Sequence, residues 1–159
     1  MRKLFIAGNW KMNKGPKQAK EFAQELKERL KGVTGIELGV CPPAISIVPV
    51  AEVLEGSNIK VGAQNVYIKE SGAFTGEISA PMVKEAGAEF VICGHSERRH
   101  ILGENDEFIN NKVKAVLSAG LKVILCVGEL LEEREAGKTN AVIETQVKAG
   151  LNGLSLIHI

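Results

Sequence analysis

Five times along this chain a short apolar run gives way to a segment with helical spacing, and that alternation constrains the fold more than any other feature. The runs are Leu4–Ala7, Ile36–Cys41, Ile59–Ala63, Phe90–Cys93 and Leu121–Val127. Each is apolar on both faces, the pattern of a strand buried in a parallel sheet rather than one with a wet side. Between them, Pro16–Lys31 places Ala19, Phe22, Ala23, Leu26 and Leu30 on one face, with Pro16 suited to the first turn and Gly32 to the position past the end. Ala44–Leu54 reads as a second helix interrupted by Pro49. Ser79–Glu85 is a short third with Ser79 as N-cap. Asp106–Ala119 carries a stripe of Ile109, Val113, Val116 and Leu117, and Leu130–Ala149 is charged at its start and apolar at Val142, Ile143 and Val147.

Strand and helix repeated in this order imply a parallel sheet with right-handed crossovers. An open nucleotide-binding sheet calls for a glycine-rich turn after its first strand, and Gly8-Asn9-Trp10-Lys11-Met12-Asn13 lacks that spacing. The competing architecture is an eight-fold β/α barrel of about 250 residues, of which five units take roughly 155. With 159 residues the chain matches five units of such a barrel, read as one partial domain over 1–159. The segment from Asn65 to Ile78 is too long for a plain turn, which marks it as a binding or assembly element.

Composition narrows the function classes. At 45% hydrophobic and 25% charged residues the chain is ordinary for a globular domain, and a formal charge of +1 gives no field that would hold a nucleic acid or an anionic membrane. Cys41, Cys93 and Cys126 each close an apolar run, with neither the count nor the spacing of a disulfide framework or zinc site, so they read as buried thiols in a reducing compartment. The apolar opening after Arg2-Lys3 ends at Gly8, too short for a signal peptide, and no run approaches the roughly 18 apolar residues of a membrane span. The expected location is cytoplasmic.

Chemistry in barrels of this kind sits where strands end. Those ends carry Asn9 and Lys11, then Gln64 and Asn65, then Gly94-His95-Ser96-Glu97. A lysine, a histidine and a carboxylate on one rim can hold a phosphate and polarise a carbonyl, although taken singly Lys11 also fits a solvated surface and His95 a structural role. A helix beginning at Ser96 would turn free N–H groups and its positive end toward His95 and disfavour a charged imidazole. Three patterns are decoys. Ala136-Gly137-Lys138-Thr139 resembles the end of a P-loop, but Glu132 stands where a glycine is needed. His95, Glu97 and His100 lack zinc-ligand spacing. Arg98 and Arg99 read as ion-pair partners.

The strings Ala7-Gly8-Asn9-Trp10-Lys11-Met12-Asn13 and Cys93-Gly94-His95-Ser96-Glu97-Arg98-Arg99 resemble signatures of the triosephosphate isomerase family. Gly62-Ala63-Gln64-Asn65-Val66, Gly72-Ala73-Phe74-Thr75-Gly76-Glu77-Ile78-Ser79 and Leu125-Cys126-Val127-Gly128-Glu129 resemble it too, in the same order, from about Leu4 to Leu156. The resemblance implies a TIM barrel, here truncated after the fifth unit. It implies an enzyme of glycolysis and gluconeogenesis that interconverts dihydroxyacetone phosphate and glyceraldehyde 3-phosphate through an enediolate, with no cofactor or metal. It casts Asn9 and Lys11 as substrate contacts, Lys11 and His95 as catalytic, His95 being the electrophile, and Glu97 as support. Thr75, Gln64 and Glu77 match positions of a homodimer interface, with Thr75 reaching the partner's site.

The family's catalytic glutamate follows strand six, and its lid and further phosphate contacts come later still, so no residue here matches them. Residues 157–159 are read as a tail that is not native, and His158 receives no function. The expectation is a fragment that is inactive alone and either poorly folded or self-associating through its outer strands. The alternative is a non-catalytic phosphate-binding or assembly module derived from the same barrel.

Overall fold

The computed structural model describes residues 3–155. Five parallel strands, β1 (Leu4–Asn9), β2 (Ile36–Cys41), β3 (Ile59–Ala63), β4 (Phe90–Cys93) and β5 (Lys122–Leu125), lie in sequence order, each paired only with its neighbours in the chain. Helices cover the outer face: α1 (Pro16–Arg29), α2 (Ile47–Leu54), α3 (Ala80–Glu85), α4 (Ser96–His100), α5 (Asp106–Ser118), α6 (Leu131–Glu135) and α7 (Thr139–Gly150). This is the truncated barrel the alternation implied. The proposed tail, His158 and any sixth strand lie outside the described residues.

The sheet is curled, and two glycines permit it. Neighbouring strands lie about 4.8 Å apart, so in a flat sheet β1 would run about 14 Å from β4. Instead the Phe5 ring of β1 meets the Phe90 ring of β4 edge to face, with centroids 5.4 Å apart. Phe90 fills the hollow that β2 and β3 leave by carrying Gly39 and Gly62: a Cβ on Gly62 would stand 2.3 Å from the ring and one on Gly39 would stand 2.9 Å from it. Cys41, Phe90 and Ile92, with Ile124 and Cys126 against them, form this inner cluster. The larger core lies between sheet and helices, where Leu38, Val40, Val61 and Val91 meet Ala19, Ala23, Val50, Ile109 and Val113. β2, β3 and β4 are therefore largely apolar on both faces because both faces are packed.

Helix boundaries follow local chemistry more closely than the hydrophobic pattern did. Pro49 does not interrupt its helix. A 3₁₀ turn (Ala44–Ser46) precedes α2, and Pro49 falls in the first turn of α2, where a backbone N–H has no intrahelical partner to lose. The segment 130–149 is two helices, because Gly137 breaks it with φ +69°. Ser79 caps α3 as expected, its hydroxyl accepting the Met82 N–H, and Asn105 caps α5 in the same way. The long 65–78 connection is packed: Tyr67 N–H donates to Ile78 O at 2.8 Å, and the Tyr67 ring contacts Phe74 at 4.7 Å and Phe108 at 5.9 Å.

The edges are uncovered. Leu4 is 69% and Ile6 58% exposed, a degree of exposure foreign to strands of this composition. Overfilling the interior should be costly. Gly62→Ala is expected to lower stability by about 1–3 kcal/mol, read as a drop in the denaturant midpoint. Adding Phe90→Leu should return part of the loss if the ring is the obstacle.

Candidate active site

The first strand ends by turning its lysine inward at a backbone cost. Lys11 has φ +52°, left-handed for a residue with a Cβ, a conformation that costs on the order of 1–3 kcal/mol and persists only where its surroundings hold it. Three contacts do so. The Asn9 side-chain oxygen accepts the Lys11 N–H at 3.0 Å. The Gln64 amide nitrogen donates to Lys11 O at 2.9 Å and to Cys41 O at 2.8 Å, tying the ends of β1 and β2 to that of β3. Trp10, buried against Phe22 with ring centroids 5.3 Å apart, anchors the residue before it.

The fourth strand ends at Gly94, φ +73°, where a Cβ would stand 3.0 Å from both Arg99 Nη2 and Ile109 Cγ2. His95 follows as the N-cap of α4, and its Nδ1 accepts the Glu97 N–H at 3.2 Å. Glu97 Oε2 also lies 3.5 Å from Nδ1, a pairing that would need a protonated ring. An amide cannot give up its proton at neutral pH, so Nδ1 presents a lone pair and the ring proton sits on Nε2. A helix does begin at Ser96 as the sequence implied, but it is five residues long. Its dipole is correspondingly slight, and the single amide bond sets the tautomer.

Glu97 joins the two halves. Its Oε1 accepts from Lys11 Nζ at 2.6 Å, across a separation of 86 residues. The bonded ammonium holds the Glu97 carboxyl below the ordinary glutamate range. Both side chains are about half exposed, so the bridge contributes little to stability and mainly places charge. Asn9, Lys11, Gln64, Glu77, His95 and Glu97 line one cleft of about 450 Å³. The lysine and the imidazole thus face a common space. Thr75, itself exposed on the 65–78 loop, is not among the residues lining it.

Sequence reasoning missed what stands behind this cleft. Lys112 is 1% exposed. It donates to Glu104 Oε1 and, at 2.7 Å, to Asn65 Oδ1, and Arg98 Nε also donates to Glu104 Oε1, at 2.6 Å. Burial pushes the Lys112 ammonium's pKa down against the pull of Glu104. Asn65 and Arg98 both line the cleft, so the network holds its wall. The available signal was a lysine set within the apolar stripe of α5, between Ile109 and Val113. The pairing of Arg98 and Arg99 with carboxylates, Glu104 and Asp106, was legible. Cys41 and Cys93 are buried with thiols pushed up to about 12, chiefly by desolvation, and Cys126 is raised for the same reason. Among the described residues no helix is long and apolar enough to cross a membrane.

Two outcomes follow. Glu97 titrates below the ordinary value, so the stabilising bridge is complete above that value and is lost as pH falls through the lowered one. A carboxyl-carbon NMR titration should show this depression, and Lys11→Met should abolish it. Removing one partner of the buried pair, as in Lys112→Ala, is expected to cost about 3–5 kcal/mol in denaturant unfolding.

Known proteins share this arrangement of strands. A family profile described as triosephosphate isomerase matches residues 4–158. The triosephosphate isomerase of Carboxydothermus hydrogenoformans is 56% identical over 155 residues, covering 98% of this chain and 62% of the relative. That of Aquifex aeolicus is 51% identical over 154 residues, with 97% and 62% coverage. A crystal structure of triosephosphate isomerase from Bartonella henselae superposes with a TM-score of 0.88 at 39% identity, covering 97% of this chain and 64% of that one. The chain therefore spans about 62% of the length of the curated relatives it matches. It belongs to the triosephosphate isomerase family.

Proposed function

We propose that this chain supplies the electrophilic half of a triose-phosphate isomerase site, acting on dihydroxyacetone phosphate and glyceraldehyde 3-phosphate in glycolysis and gluconeogenesis in the cytoplasm. The observation that carries the reading is the meeting of Lys11 and His95 at Glu97, on one cleft. With Nδ1 engaged by the Glu97 amide, Nε2–H is left to donate to a substrate carbonyl oxygen and to follow it as charge develops in the enediolate. Lys11 places a compact cation against phosphate and enediolate oxygens, and Asn9 fixes the backbone that presents it. Glu97 holds the ammonium until an anion competes for it.

Proton abstraction needs a base. Glu97, the carboxylate beside His95 and Lys11, is committed to the lysine, so the base in this reading comes from the part of the family's length that this chain does not span. The same reading makes Thr75 and Glu77 contacts of a homodimer. Support comes from the packed loop that presents them and from exposed Met12, Phe74, Ile78, Ile101 and Leu102 on or beside that rim. Gln64 supports that interface indirectly, since its amide nitrogen is spent on Lys11 and Cys41 within the chain. A folded 17.1-kDa protein exposes roughly 7,700 Å². This chain exposes 9972 Å². The surplus of roughly 2,000 Å² exceeds the roughly 800 Å² that each partner contributes to a standard protein interface. The 159-residue polypeptide by itself is accordingly inactive and self-associating.

The commitment to Lys11 of Glu97, the carboxylate 3.5 Å from His95 Nδ1, favours one second reading, a non-catalytic phosphate-binding or assembly module. A fusion separates the two: residues 1–155 joined in frame to the complementary C-terminal part of the Carboxydothermus relative. Isomerase turnover is expected, with His95→Asn lowering kcat by about 10²–10³-fold and Lys11→Met abolishing measurable activity. A folded fusion indifferent to both substitutions would leave the module reading in place. The 159-residue chain should show no turnover and should elute above monomer size in gel filtration with light scattering.

A further inference from the structure

We infer that Arg99 is a positioning residue for His95, acting through the Gly94–His95 peptide; the inference rests on reading His95 as the group that polarises the carbonyl. Arg99 is absent from the lining of the cleft and its side chain is 6% exposed, so it does not meet a ligand there. Its guanidinium instead reaches three separate connections. Nε donates to Gly94 O at 2.8 Å, Nη1 to Asp106 Oδ1 at 2.5 Å, and Nη2 to Cys126 O at 3.1 Å. Those acceptors lie just past the end of β4, at the first residue of α5 and just past the end of β5.

The carbonyl of Gly94 and the N–H of His95 belong to one planar peptide. Holding that carbonyl fixes the plane from which the His95 side chain departs. The glycine and the arginine are also fitted to each other, because a Cβ on Gly94 would stand 3.0 Å from Nη2. The Arg99 N–H donates to His95 O at 3.0 Å, so the same residue grips the histidine from both sides. Within that frame the Glu97 amide meets Nδ1 and leaves Nε2–H for the cleft. A lysine could not substitute, since a single ammonium has no planar fork to span three acceptors. Arg98, the adjacent arginine, also donates its backbone N–H to His95 O, at 2.8 Å, but its side chain turns the other way to Glu104, and the side-chain bond to Gly94 O belongs to Arg99.

The test uses the fusion described above. Arg99→Ala is expected to lower kcat by about 10- to 100-fold, the scale of a misplacement of about 1 Å, with KM within about two-fold because Lys11 still meets the phosphate. Guanidinium chloride at low, non-denaturing concentration should restore part of kcat by refilling the slot, whereas ammonium chloride and urea should not. Imidazole ¹⁵N spectra should show one fixed His95 tautomer in the parent and exchange between tautomers in Arg99→Ala. Arg99→Lys serves as a second variant should the alanine protein fail to fold, and is expected to show the same spectral averaging. The proposal is overturned if the loss tracks only the folded fraction, if KM rises while kcat holds, or if the spectra are unchanged. A fusion without turnover whose spectra still respond to Arg99 would sink the isomerase reading and leave the positioning intact.

Discussion

The Phe90 ring occupies the hollow over Gly39 and Gly62, and the rest of the molecule follows from the curvature this permits. A Cβ would stand 2.3 Å from the ring at Gly62 and 2.9 Å from it at Gly39, so a side chain at either glycine would displace the ring and work against the curvature. Flattened, β1 and β4 would stand three strand spacings apart and their last residues would point into separate volumes of solvent. Curled, the two strands bring Phe5 against Phe90 inside and Lys11 against Glu97 at the rim. A packing contact at the middle of the barrel thus sets the distance between two polar groups at its mouth.

The rim stores strain and then contains it. Lys11 adopts a left-handed backbone that its Cβ disfavours, and Gly94 a left-handed one that only the lack of a Cβ allows. Each is held by a buried or half-buried polar side chain from elsewhere, Gln64 in one case and Arg99 in the other. Behind both, the Lys112–Glu104–Arg98 network keeps ionic groups inside the protein, where a well-packed apolar cluster would be at least as stable. What it adds is the fixed placement of Asn65 and Arg98 on the cleft wall.

Much of the fold was legible because its signals are local. All five strands were readable as short runs apolar on both faces, and Ser79 and Pro16 marked helix starts by chemistry confined to one turn. The misreadings share a cause as well. Pro49 looked like a break because its position within the first turn depends on where the helix begins, and a 3₁₀ turn moved that start to Ile47. The charged and apolar halves of 130–149 looked continuous because the left-handed Gly137 leaves no mark on hydrophobic periodicity. Lys112 was invisible as a wall-builder because its partners, Asn65 and Glu104, lie 47 and 8 residues away.

By itself the sequence determined the β/α order, the residues placed at strand ends and the family motifs they compose. Those depend on periodicity and on side-chain identity, which a linear chain displays. The tertiary structure decided which strand-end residues share a cleft and that Glu97 bridges the lysine and the histidine's turn. It also decided that Gln64 serves the Lys11 backbone and that one arginine of an adjacent pair grips the His95 peptide while the other faces a buried carboxylate. Such choices turn on the direction of a side chain relative to a curled sheet. That direction is fixed only when distant strands pack against a common ring.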